Sequence, residues 1–90
     1  MHPLKLKHRT HPEIVKRLRR VEGQVHSIIK MIETGRPCVD VAQQLAAATS
    51  ALTNAKSTFI RDHVEHCLID AVGPDGRQQL DELRLITKFL

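Results

Sequence analysis

Ninety residues with a net charge of +4 make one domain at most, and a chain this short buries a thin core that oligomerisation often completes. With two Phe, no Trp and no Tyr, the apolar content is Ala, Leu, Val and Ile, which suits helices packed on helices and argues against a sheet. No signal-type N-terminal run and no stretch of about 18 apolar residues occurs, so a cytoplasmic protein without a membrane span is expected.

The first twenty residues carry Lys5, Lys7, Arg9, Lys16, Arg17, Arg19 and Arg20 against Glu13 alone. Such a cluster points to a polyanion, nucleic acid before a membrane surface. Residues 1–11 read as a basic, histidine-containing arm, and 12–90 as a single helical domain.

The first helix is predicted from about His11 to Thr34. Thr10 and Glu13 have capping-box spacing, and Pro12 falls in the tolerant first turn. Ile14, Leu18, Val21, Val25, Ile28 and Ile32 step by alternating fours and threes, a heptad seam. Gly35 and Pro37 end it. The second helix, about Val39 to Val72, repeats the stepping with Val41, Leu45, Ala48, Leu52, Ala55 and Phe59. Alanines at 42, 46, 47, 48 and 51 allow close approach of a partner helix. The Gly73-Pro74-Asp75-Gly76 run breaks the chain. A third helix, about Arg77 to Leu90, places Leu80, Leu83, Ile86 (or Thr87) and Leu90 on one face. An antiparallel pair of the two long helices leaves half of each seam wet. An antiparallel four-helix-bundle dimer, all-α with three helices per protomer, is therefore expected.

Two cysteines in a reducing compartment are thiols that suit metal binding or redox sensing better than a disulfide. His63 and Cys67, four apart, share a helical face, and His66 lies between them. Cys38 stands 25 residues before His63 on the same predicted helix, about 37 Å away at about 1.5 Å per residue. One chain cannot close a site from these ends. Two antiparallel second helices can, with each Cys38 meeting the His63 and Cys67 of a partner. Taken alone the spacing is no generic zinc signature, and a lone Cys is as readily a small buried apolar residue.

The runs Arg17-Leu-Arg-Arg-Val-Glu-Gly-Gln-Val25, Arg36-Pro-Cys-Val-Asp-Val-Ala-Gln-Gln-Leu-Ala-Ala47 and Asp62-His-Val-Glu-His-Cys67 resemble the CsoR/RcnR/FrmR repressors. The likeness covers about residues 12 to 90. It implies an all-helical dimer that pairs into a flat tetramer, binds double-stranded operator DNA, and represses an efflux or detoxification operon until its effector binds. Cys38, His63 and Cys67 match the Cys-His-Cys set of the copper sensors, and Glu82 matches the glutamate behind their metal ligands. Pro37 departs from them, since one type of copper sensor carries Tyr there. Two thiolates and an imidazole suit three-coordinate Cu(I). The alternative is Ni(II) or Co(II), completed by His8, His2 or His11 of the arm, although Leu6 fills the place aligned with the N-terminal histidine of those sensors. Arg17 carries over onto the DNA-facing arginine of the family, flanked by Lys16, Arg19 and Arg20. Lys56, Arg61 and Lys88 extend the surface, and Asn54 replaces an arginine found in some members. Nothing resembles a helix-turn-helix, and phosphate contacts with a steep salt dependence are expected. A thiol enzyme built on Cys67 and His63 lacks an oxyanion-hole motif and leaves Cys38 unexplained. A metallochaperone leaves the basic helix unexplained.

Overall fold

The computed structural model describes residues 10–71 and 76–90, without the side chains of residues 67–71 and 79. Three helices make up nearly all of it: α1 (His11–Glu33), α2 (Cys38–Ala71) and α3 (Gly76–Ile86), followed by a 3₁₀ turn (Thr87–Phe89). The described residues include no strand.

Helix α1 starts differently from its expected capping box. Thr10 is itself helical (φ −77°, ψ −14°) and makes no side-chain cap bond. An N-cap hydroxyl needs an extended backbone to reach the N–H groups ahead of it. Glu13 instead lies 4.0 Å from Lys16. The other end follows the sequence. Gly35 takes φ +74°, its N–H donates to the Ile32 carbonyl and that of Arg36 to the Met31 carbonyl. This is the paired-bond ending that a left-handed glycine permits. The Val41 N–H then donates to the Pro37 carbonyl, so α2 begins at Cys38.

Helices α1 and α2 pack as a pair, and α3 packs back on α2. The heptad seams are split between two surfaces. Ile14, Val21 and Ile28 of α1, with Ala48, Ala55 and Ile60 of α2, are the buried apolar residues. The alternate seam positions, Leu18, Val25 and Ile32 on α1 and Leu45, Leu52 and Phe59 on α2, stay exposed. Alanine at 48 and 55 lets α1 sit close, so a narrow contact suffices. The molecule measures 58 × 29 × 14 Å. Its thinnest dimension is little more than the diameter of one helix, about 10–12 Å, so the three helices form a single layer.

The third helix is shorter than expected. It ends at Ile86, where the chain tightens and the Thr87 hydroxyl donates to the Arg84 carbonyl at 2.7 Å. A threonine that bonds back to the preceding turn competes with continued helix. Leu80 and Leu90 are exposed, and Leu83 and Ile86 half-buried.

Candidate metal centre and nucleic-acid interface

The two ends of α2 hold the soft donors. Toward its C-terminal end, His63 is largely buried and its Nε2 lies 2.5 Å from Glu82 Oε1 of α3. Folding α3 back on α2 brings them together. Phe59, one turn before His63, stacks on it with ring centroids 6.4 Å apart and planes 10° from parallel. His11, the first residue of α1, stacks on Phe59 at 5.2 Å and 9°. Asp62, its side chain only 10% exposed, meets His66 Nε2 at 3.1 Å and faces His11 Nε2 at 4.0 Å. His66 is thus turned toward Asp62. Phe59 and Asp62 are site residues that sequence reasoning passed over. The spacings Phe59–His63 and Asp62–His66, each one helical turn, were the available signals. Cys67 lies one turn beyond His63 on the α2 backbone, and its side chain is outside the described residues.

At the other end, Cys38 is an exposed free thiol in the first turn of α2. It edges an apolar groove formed with Ile32, Val41 and Leu45. Helix α2 is unbroken between Cys38 and His63, which sets them about 37 Å apart at about 1.5 Å per residue. Within one chain no three His, Cys, Asp or Glu side chains converge on a metal position among the described residues. The donor chemistry does fit a soft ion, since two thiols and an imidazole are the ligands such an ion takes. A carboxylate on the far nitrogen of the imidazole is the usual support of a metal-bound histidine. The fit requires a second copy of the chain to bring the two ends together. Of the arm histidines, His2 and His8 lie outside the described residues, and His11 is engaged by Phe59 and Asp62.

The basic residues separate by face. Arg17, Arg20 and Arg61 line one groove between α1 and α2, with Asn54, Ser57 and Thr58. The Arg17 guanidinium donates to Thr58 Oγ1 at 3.4 Å, which tethers it across the helix pair. Arg61 comes two turns after Asn54 and supplies a cation to the groove in which Asn54 is neutral. Lys16 and Arg19 are exposed on α1 outside this groove, and Lys56 borders a neighbouring one with Ile60 and Val64. Lys5, Lys7 and Arg9 lie outside the described residues. No described helix is long and apolar enough to cross a membrane.

The described residues thus form a one-layer helical protein with an arginine-lined groove between α1 and α2 and soft donors toward both ends of its longest helix. A family model described as metal-sensitive transcriptional repressor matches residues 10–88, and the chain belongs to that family. The family consists of DNA-binding repressors, not enzymes. The chain is 42% identical over 72 residues to the copper-sensing transcriptional repressor CsoR of Bacillus subtilis, covering 79% of this chain and 71% of that protein. It is 48% identical over 61 residues to the copper-sensing repressor RicR of Mycobacterium tuberculosis, covering 68% and 64%. With CsoR of Mycobacterium ulcerans it shares 41% identity over 75 residues, covering 81% and 63%. The chain thus spans just under two thirds of the length of the two mycobacterial relatives. No solved structure gives a significant match.

Proposed function

We propose that the protein is a cytoplasmic Cu(I)-responsive repressor of a metal efflux or resistance operon, which leaves its operator when Cu(I) binds between subunits. The observation that carries this reading is the division of the donors, Cys38 at one end of an unbroken helix and His63 with Cys67 at the other. The copper-sensing relatives support the choice of metal.

The exposed half-seam, Leu18, Val25 and Ile32 with Leu45, Leu52 and Phe59, is the face that a second copy covers in antiparallel pairing, and two such dimers form the tetramer. Removing this area from water favours association at about 25 cal/mol per Å² before the costs of association. Pairing brings Cys38 to the partner's His63 and Cys67. When bound, Cu(I) supplies a three-coordinate crosslink between these ends. With Nε2 of His63 on Glu82, Nδ1 would be left to hold the metal. The Arg17, Arg20 and Arg61 groove takes DNA phosphates, Lys16, Arg19 and Lys56 add to the field around it, and Lys5, Lys7 and Arg9, ahead of α1, contribute further phosphate contacts. Tying the start of one α2 to the end of the other shifts the packed helices, and the basic grooves lose register with the duplex. A coupling of about 1–3 kcal/mol is the ordinary size of such an effect.

The test is subunit complementation, read as DNA affinity with and without Cu(I). Cys38→Ala and Cys67→Ala each lose metal-induced release. Co-assembled, they regain it partly, because a mixed dimer holds one intact site. A site contained in one chain regains nothing on mixing.

A further inference from the structure

His63 is connected to the start of the basic helix by rings. His11, Phe59 and His63 stack in succession, with centroid separations of 5.2 and 6.4 Å and planes within 10° of parallel. His11 opens α1, six residues before Arg17 on the same helix. Phe59 and His63 sit one turn apart on α2, so the stack crosses between the two helices. Asp62, next to His63 in the chain and nearly buried, faces His11 Nε2 at 4.0 Å from a second direction. Phe59 is one of only two aromatic residues in the chain. Its neighbours along the buried side of α2, Ala48 and Ala55, make their packing contacts with a methyl group. Phe59 itself remains 40% exposed. An aliphatic side chain would serve the exposed seam equally well, whereas parallel stacking on two imidazoles uses an aromatic ring.

We propose that Phe59 and His11 are positioning residues that tie the orientation of the His63 imidazole to the first turn of the DNA-facing helix. The proposal rests on the reading of His63 as a metal-facing residue and names the contact through which its movement reaches Arg17. Reorientation of the His63 ring changes its stacking on Phe59, and a shift of Phe59 changes its stacking on His11, where the helix begins.

The experiment compares wild type with Phe59→Leu, His11→Ala and His11→Phe. The first readout is made on metal-free protein, as the chemical shifts of the His63 ring protons. These carry the ring current of Phe59 and should move in Phe59→Leu. The second is the ratio of DNA affinities with and without Cu(I). Phe59→Leu and His11→Ala should each reduce that ratio, taken at saturating Cu(I), by about tenfold, and His11→Ala, which lies outside the exposed seam, should keep the wild-type oligomeric state. His11→Phe keeps a stacked ring without the nitrogens and should retain the ratio. A role in stability alone predicts lowered melting temperatures with an unchanged ratio. An unchanged ratio in both Phe59→Leu and His11→Ala, with wild type responding normally, overturns this proposal and leaves the repressor reading standing. No metal response in wild type overturns the Cu(I) reading and this proposal with it. If Phe59→Leu fails to assemble, the two His11 variants decide between these outcomes.

Discussion

The two ends of α2 are built in opposite ways. Around His63 there are rings on one side, a carboxylate on the far nitrogen and a nearly buried Asp62 beside it, all supplied by three helices of one chain. Around Cys38 there is an exposed thiol at a helix start and an apolar groove edged by Ile32, Val41 and Leu45. An imidazole presents one of two nitrogens in a fixed plane and must be oriented, so its surroundings are elaborate. A thiolate is a compact donor whose direction a single torsion sets, so it needs little support. The orientation of the imidazole is prepared within the chain, and on the proposed reading completion of the site is left to assembly.

The sharpest way to break this comparison is Cys38→Ala. If both ends are needed, metal-induced release from DNA disappears altogether while binding of the metal-free protein to DNA is kept, as a titration by fluorescence anisotropy would show. A variant that still responds means that the His63 end suffices alone. The next effect in size is at Glu82. Glu82→Gln should weaken Cu(I) binding by about 10–100-fold in chelator competition, with little change in metal-free DNA affinity. Removing residues 1–9 should leave the ratio of affinities with and without Cu(I) nearly unchanged, since Cys38, His63 and Cys67 are ligands enough for Cu(I). DNA affinity should fall through the loss of Lys5, Lys7 and Arg9, and the salt slope should shrink by up to about 2.7, at about 0.9 per phosphate contact. A large loss of metal response would instead bring an arm histidine into the site and favour nickel or cobalt. The smallest effect is at the turn before Cys38. Gly35→Ala places a Cβ at φ +74° and should cost about 1 kcal/mol, a melting-temperature loss of about 4–8 °C. Cu(I) affinity should stay the same if the Cys38 end needs little positioning.

Much of this architecture was legible in the residues. Strict four–three stepping marked α1 and α2 as helices, Gly35, Pro37 and the Gly73-Pro74-Asp75-Gly76 run bounded them, and the surplus of apolar seam over what one antiparallel pair can bury suggested a second surface. Gly35 was legible because only glycine takes a left-handed backbone without strain. Thr10 was not, because the choice between capping and continuing the helix depends on the backbone of one residue. The Cys38–His63 separation followed from helix rise alone. Glu82 was visible only through the family resemblance, and His11 against Phe59 and Asp62 was hidden because it depends on how α1 meets α2. The division of the arginines had the same cause. Arg17 and Arg20, one turn apart, share the groove face, whereas Lys16 and Arg19 do not line it.

The unbroken helix between Cys38 and His63 also fixes a phase. At about 3.6 residues per turn, 25 residues make about seven full turns, so the two side chains leave α2 at nearly the same azimuth. Substitutions along the intervening stretch can accumulate without touching that relation, but a one-codon insertion or deletion cannot. It would swing one end about 100° around the axis, and in a homo-oligomer every copy would carry the same error. Packing at Ala48, Ala55 and Ile60 constrains the spelling of this segment, and the phase separately binds its count of codons.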